Sequence, residues 1–332
     1  MSNEDTEMIL TKEALAALVQ GAISIEYDEE GYLIPHRLTE EQRKFYEYRE
    51  KTYARACATP GVRLAFKTDA DEFSIDYRIT HGQKAFFDLK VDGALTWHSG
   101  EILEGGGSGT FHITLPRGTH DVVLYLPYLA RASLANLTVP DGASVTSLAK
   151  APTMLCLGDS ITQGAVADYS SGTYVTLLAD MLGLSHVNQA VSGEIMRPVS
   201  LTRDIGFRPK LVTVAFGTND YAKCTTAEEL RENATEYYRL VREYYPEAKI
   251  FAILPIWRAG HEKIRDMGSF ALAVSIVRTA AEAVGATVID AFNFVPHLPE
   301  FFYDLRLHPN DLGFQYYASA LYRAMLPHLK EN

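Results

Sequence analysis

The sequence is poor in cysteine, carries no excess of basic charge and contains no long apolar run. Its three cysteines, Cys57, Cys156 and Cys224, are far apart and form no C-x-x-C pair. That excludes a disulfide framework and a cysteine-based zinc site, so all three are expected to be reduced and partly buried. Lys and Arg number 31 against 42 Asp and Glu, a formal charge of −11. A chain with that balance is not built to hold nucleic acid or an anionic membrane through bulk electrostatics. No stretch approaches the ~18 consecutive apolar residues of a membrane span. The opening M-S-N-E-D-T-E-M-I-L is acidic and polar. A secretory signal needs a basic start and an apolar run, so the expected compartment is the cytoplasm. No His, Asp and Glu set has a metal-ligand spacing, and neither a metal nor a cofactor is expected. Gly105-Gly106-Gly107-Ser108-Gly109 lacks the lysine and the following helix of a phosphate loop, and reads as a plain loop.

What is present is ample core material, at 47% hydrophobic residues over 332 positions. At roughly 100–200 residues per domain this length predicts two, placed at 1–150 and 151–332. The first part reads as β structure between 62 and 126. V-R-L-A-F-K-T and F-S-I-D-Y-R-I alternate with period two, and Asp92-Gly93 marks a hairpin. Short strands with frequent turns and no long helix predict an antiparallel sandwich. Thr39-x-x-Gln42 is a capping-box pattern opening a charged helix over 40–56. Residues 127–150 are expected to return the chain to its second half.

From residue 152 the period changes. T-M-L-C-L, 186–191, 210–216, 249–256 and 286–292 read as buried strands. Helices are expected over 172–183, over 226–245 after a cap at Thr225 or Thr226, over 262–284, and near 310–328. Strands alternating with helices predict a parallel sheet covered on both faces. Ligands bind such sheets at the carboxyl ends of the strands.

Three strand ends carry chemistry: Gly158-Asp159-Ser160-Ile161, Gly217-Thr218-Asn219-Asp220, and Asp304-Leu305-Arg306-Leu307-His308-Pro309. A serine, an imidazole and a carboxylate are the parts of a nucleophile, its base and the group that orients the base. The glycine beside the serine permits a sharp turn and close substrate approach. Asn219 offers side-chain N–H groups to a developing oxyanion. Trp257-Arg258 follows the fourth strand, a position where substrate would be touched. The plainer reading, a packed Trp and a solvated Arg, is favoured there. His261 and His297 read as surface or loop histidines.

This constellation resembles the SGNH hydrolases, the GDSL family of esterases and lipases, over roughly 152–328. The resemblance implies a flavodoxin-like, three-layer α/β domain with Ser160 as nucleophile in G-D-S-I. It also implies His308 in L-H-P-N as base, and an oxyanion hole of the Ser160 N–H, the Gly193 N–H and the Asn219 side chain. In the family pattern, Asp159 and Asp220 mostly hold loops. A sandwich ahead of such a domain resembles a subset of two-domain bacterial GDSL hydrolases, among them carbohydrate esterases with a jelly-roll domain. The implied function is removal of a small acyl group, such as acetyl, from an alcohol or sugar ester. The implied partner is a small-molecule ester, with the oligomeric state left open. An acyltransferase would share every residue named. A binding or scaffold protein with a degenerate hydrolase domain is the third reading, and the intact Ser160, Asn219 and His308 argue against it.

There is one departure from the family pattern. The aspartate usually lies three residues before the histidine, but that position is Leu305, and Asp304 lies four before His308. Either the loop absorbs one extra residue and Asp304 orients the ring, or a Ser160–His308 dyad uses another acceptor. The first is the expectation. Asp311, at the start of the last helix, is explained by charge stabilisation of its N-terminus. Asp290, at a strand end, is a weaker candidate.

Overall fold

Alternation of apolar and polar side chains builds the first half of the chain. In the strand Glu72–Gly82, the buried Phe73, Ile75, Tyr77 and Ile79 alternate with the partly exposed Ser74, Asp76 and Arg78. One face is therefore committed to a core. The computed structural model describes residues 6–82, 85–99 and 106–329. Two antiparallel sheets form there. One runs in the order Ser24–Tyr27, Leu33–His36, Ala130–Pro140, Glu72–Gly82, Gly107–Thr114, with Glu7–Ile9 added on Ala130–Pro140. The other runs Val145–Ser147, Arg63–Thr68, His120–Tyr125, Asp88–Val91, Ala94–His98, with Val19–Gln20 on Arg63–Thr68. Leu64, Phe66, Leu89, Val122 and Leu124 of one sheet meet Phe73, Ile75 and Leu134 of the other in one core. The expected sandwich is present. Asp92 and Gly93 join two strands with φ of 49° and 83°, the left-handed pair a tight hairpin requires.

Three local expectations are corrected. Residues 127–150 are not a mere return segment, because Ala130–Pro140 is a central strand of the first sheet. Register shifts between Arg131 and Ala132 and between Ala135 and Thr138, with Asn136 at φ 50°, break its alternation and hide it from a period-two reading. Gly107 to Gly109 are not loop. They open a strand against Ile79, Arg78 and Tyr77, and the Tyr77 ring lies where a Gly109 side chain would stand. Gly105 lies outside the described residues. The helix expected over 40–56 is split. Its Thr39/Gln42 capping box forms, but the helix ends at Phe45, and the extended Arg49 precedes a second helix, Glu50–Cys57. That break lets Thr52, Ala56 and Cys57 turn inward.

The second half contains a five-stranded parallel sheet in the order His186–Asn188, Met154–Gly158, Leu211–Ala215, Lys249–Ile253, Thr287–Ile289. In chain order that is 2-1-3-4-5, the doubly wound arrangement. The first strand is buried at every position, M-L-C-L-G, as a strand covered on both faces should be. Helices Tyr174–Leu182, Ala227–Tyr244, Phe270–Ala283 and Asp311–Leu329 cover the sheet. The helix expected from 262 starts at Phe270. A two-residue hairpin at Ile264–Arg265 and Gly268–Ser269 precedes it, and Ser269 caps it by accepting from Leu272 N–H. Among the described residues no helix is long and apolar enough to cross a membrane.

The two halves are joined by buried polar contacts. Arg37, 1% exposed, donates to the carbonyls of Ala58 at 2.8 Å, Asn188 at 2.7 Å, Ala190 at 2.8 Å and Arg55 at 2.7 Å. Among the described residues no carboxylate pairs with it, and burial lowers its pKa to about 10. Removing the guanidinium would strand the Ala58, Asn188 and Ala190 carbonyls, each costing about 1–3 kcal/mol, while the Arg55 carbonyl keeps the Gln163 amide. We expect Arg37→Met to destabilise the chain by at least about 3 kcal/mol, read as a lower urea midpoint at unchanged slope. An unchanged midpoint would mean that water replaces the side chain without cost.

Candidate active site

The sheet order reverses between Met154–Gly158 and Leu211–Ala215, and the crevice at that reversal is where a ligand belongs. Both strands deliver a glycine there. A side chain on Gly158 would fall 2.2 Å from Thr162 Oγ1 and 2.8 Å from the Ala215 carbonyl, so the turn needs glycine. Asp159 then caps the short helix Ser160–Gln163 by accepting from Ile161 N–H at 3.0 Å. Ser160 is the first helical residue, so its own N–H has no intrahelical acceptor.

Ser160 Oγ lies 3.0 Å from His308 Nε2, and His308 Nδ1 lies 2.9 Å from Asp304 Oδ2. The extra residue before His308 is absorbed at Leu305, which takes φ 59°. Asp304 folds back over that turn, and its Oδ1 accepts from the N–H groups of Arg306 at 3.1 Å, Leu307 at 2.8 Å and His308 at 3.1 Å. Burial opposes ionisation of Asp304. The His308 ring and these N–H groups outweigh it and hold the carboxyl well below the usual range. Asp304 is thus poised as a charged acceptor toward the imidazole. Neither alternative carboxylate reaches the ring. Asp290 pairs with Arg278 at 3.1 Å, and Asp311 accepts from Asp168 and Tyr169 N–H at 3.1 and 3.2 Å.

Gly193 has φ 86°, in the left-handed region where glycine carries no penalty. The preceding Ser192 N–H donates to Gln163 Oε1 at 2.6 Å, and the following Glu194 carbonyl accepts from Asn219 Nδ2 at 3.0 Å. The Gly193 loop is therefore tied to the turn after Ser160 on one side and to the Gly217–Asp220 turn on the other. Asn219 spends one of its two N–H groups on this tie, which leaves the other without a protein partner among the described residues. Asp220 organises its turn by accepting from Gly217 N–H at 3.0 Å and Met196 N–H at 2.8 Å. Burial pushes Asp159 up to about 7 and Asp220 up to about 6. Both are buried loop-holding groups rather than free acids.

Arg258 is not the solvated residue expected. It is 9% exposed and donates to the Thr218 carbonyl at 2.8 Å and Thr218 Oγ1 at 3.2 Å, buttressing the turn that carries Asn219. Trp257 is half-buried, stacked on His297 at 5.4 Å and against Phe302 at 5.2 Å. His261 and His297 bond to the Arg258 and Phe292 carbonyls.

Three contributors escaped the sequence reading. Gln163 donates to the Arg55 and Tyr128 carbonyls while holding Ser192. Arg55, on the helix Glu50–Cys57 of the first half, donates to the Ser192 carbonyl at 2.7 Å. Lys223 donates to the Gly193 carbonyl. Their partners lie 29 to 137 residues away in sequence. No local pattern marks them.

Residues 156–316 match the GDSL-like Lipase/Acylhydrolase family. No curated protein matches the chain. Among solved structures, the salicylyl-acyltransferase SsfX3 from a tetracycline biosynthetic pathway superposes with TM-score 0.81 at 23% identity, covering 100% of this chain and 99% of its own. A family two carbohydrate esterase from Cellvibrio japonicus superposes with TM-score 0.67 at 16% identity, covering 98% of each chain. A family two carbohydrate esterase from Clostridium thermocellum, in complex with cellohexaose, does so with TM-score 0.62 at 19% identity, covering 82% of this chain and 94% of its own. At these identities the likeness shows a shared fold.

Proposed function

Because residues 156–316 are a GDSL-like lipase/acylhydrolase domain, we propose that this chain is a serine esterase that removes a small acyl group from an alcohol or sugar ester. The observation carrying this reading is Ser160 Oγ at 3.0 Å from His308 Nε2, whose other ring nitrogen meets Asp304 at 2.9 Å. Residues 1–150 and 151–332 are taken as two domains, the second carrying the chemistry. His308 Nε2 removes the Ser160 proton as Oγ attacks the ester carbonyl. Asp304 fixes the tautomer by accepting from Nδ1–H, and stabilises the imidazolium that forms. The Ser160 N–H, the Gly193 N–H and the free Asn219 N–H receive the oxyanion, each well-placed donor being worth about 3–4 kcal/mol. The tetrahedral intermediate collapses as His308 protonates the leaving alcohol. Water, deprotonated by His308, then releases the acid from Ser160. Trp257 is assigned to one wall of the substrate crevice, and Arg258 acts behind it by supporting Thr218.

The test is a screen of p-nitrophenyl esters from acetyl upward alongside acetylated sugars, with fluorophosphonate labelling of Ser160. Labelling with acetyl-ester turnover supports the reading. Absence of both favours a non-catalytic binding protein. The full-length likeness to a salicylyl-acyltransferase supports a second reading, in which an acceptor alcohol replaces water. Product analysis with and without an acceptor separates the two.

Asn219→Ala is expected to lower kcat by about 10²–10³ with little change in KM, because its hydrogen bond strengthens as charge develops on the oxygen. An effect confined to KM would recast Asn219 as a ground-state binding residue.

A further inference from the structure

In a chain of net charge −11, two cations crowd the outer face of Gly193. A methyl carbon built on Gly193 would lie 2.9 Å from Arg55 Nη1 and 3.7 Å from Lys223 Nζ. Arg55 comes from the first half of the chain and Lys223 from the helix Thr218–Lys223 that begins beside Asn219. Both donate to backbone carbonyls, and among the described residues neither forms an ion pair with a carboxylate. Two carboxylates, Glu194 and Asp159, stand nearby and act on Lys223. Glu194 meets Arg197 at 3.1 Å and accepts from its own neighbour Ile195 N–H, both through Oε1, while its buried Oε2 has no hydrogen-bond partner among the described residues. Asp159 is fully buried, and burial pushes it up to about 7. Desolvation lowers the pKa of Arg55 and of Lys223; Arg49 adds repulsion at the first, while at the second Glu194 and Asp159 attract and Arg55 and Arg197 repel. Three cations, Arg55, Lys223 and Arg197, thus meet two carboxylates here, and positive charge is left in excess. Arg55 also lines an open cavity of about 390 Å³ shared with Glu50, Lys51, His81 and Leu129. Among the described residues its walls include neither Gly193, Lys223 nor Ser160.

We propose that Arg55 and Lys223 form an anion-binding subsite beside Gly193, which selects esters carrying a carboxylate or phosphate group. The proposal rests on the reading of Ser160 as nucleophile and Gly193 as oxyanion donor, since these place the subsite next to the reacting carbonyl. Binding a substrate anion would supply the counter-charge that Glu194 and Asp159 provide only in part. The guanidinium suits this role because its five donors allow it to keep the Ser192 carbonyl while receiving an oxygen anion.

The test compares matched substrate pairs. On the alcohol side these are 4-acetoxybenzoate against 4-acetoxybenzamide. On the acyl side they are p-nitrophenyl hemisuccinate against the p-nitrophenyl methyl succinate diester. In at least one pair, wild type should prefer the anion by about fivefold or more in kcat/KM, the scale of a partly exposed ion pair. The pair that responds identifies the side of the ester bearing the charge. The preference should shrink as salt rises, because these charges are partly solvated. Arg55→Gln and Lys223→Gln should each reduce the anion-to-neutral ratio at least about threefold, whatever happens to the neutral ester, and Arg55→Lys should retain most of it. A wild-type ratio near one in both pairs would overturn the proposal. So would a ratio unchanged in both glutamine variants while activity toward all esters falls together, since that would reduce the two side chains to loop supports. Calorimetric binding of the unreactive amides 4-acetamidobenzoate and 4-acetamidobenzamide gives the same comparison without turnover. If no ester is hydrolysed and Ser160 is not labelled, the esterase reading fails, and equal binding of the two amides is then what removes the anion subsite.

Discussion

Ser160→Ala is expected to retain less than ~1% of wild-type turnover on any ester the protein cleaves, with its unfolding transition in place. Loss of a serine nucleophile typically costs far more than that. The residual rate over water would come from the remaining oxyanion donors and binding alone. The fold should survive because the hydroxyl's one partner among the described residues is the His308 ring, while the turn is held by other groups. Asp159 caps it, Gly164 N–H closes it on the Ser160 carbonyl at 3.1 Å, and Gln163 ties it to Ser192 and to the Tyr128 carbonyl. None of these uses the Ser160 side chain. A variant that keeps more than ~1% of kcat with an unaltered midpoint would remove Ser160 from the mechanism. Activity lost together with cooperative unfolding would instead mark the hydroxyl as structural.

Asp304→Ala should lower kcat by at least ~10²-fold, since the orienting acid of a triad commonly contributes more than that. Its two oxygens have separate tasks. Oδ2 faces His308 Nδ1 at 2.9 Å, while Oδ1 gathers three backbone N–H groups across the Leu305 turn. Alanine removes both, so part of the loss would come from a loosened loop. Asp304→Asn separates the contributions. The amide can keep its oxygen on the backbone donors, but it cannot accept from Nδ1–H with its NH₂ group, so the asparagine variant should hold the loop and still lose most of kcat. Asp290→Ala and Asp311→Ala should stay within a few-fold of wild type in kcat, aside from stability. If Asp304→Ala keeps more than a third of activity, a Ser160–His308 dyad oriented by another acceptor becomes the better description.

Much of this architecture was readable because burial writes a period into the chain. Two-sided burial makes M-L-C-L and L-V-T-V-A continuous apolar runs, and one-sided burial makes F-S-I-D-Y-R-I alternate. Where the pattern failed, a local irregularity was responsible. The bulged strand Ala130–Pro140 lost its alternation at two register shifts. The hairpin before Ser269 was indistinguishable from the first turns of an amphipathic helix. Arg258 read as solvated because an arginine near a strand end usually is, and nothing local announces a carbonyl 40 residues earlier as its partner.

The sequence by itself determined the fold class, the strand ends that carry Ser160 and Asn219, and the hairpin at Asp92-Gly93, whereas Asp304 and His308 lie not at a strand end but in the loop between the turn Pro299–Phe301 and the helix Asp311–Leu329. These follow from backbone rules and short-range periodicity, which act within a few residues. It left open whether Asp304 could reach the ring, since four-residue spacing is compatible with either outcome. Only the tertiary structure decided that, by placing Leu305 at a positive φ and folding the carboxylate back over three N–H groups. The tertiary structure alone also brought Arg55 to the Gly193 loop, across 137 positions of chain to Ser192. Such contacts are set by how two independently patterned cores pack together, and a pattern of short range carries no record of them.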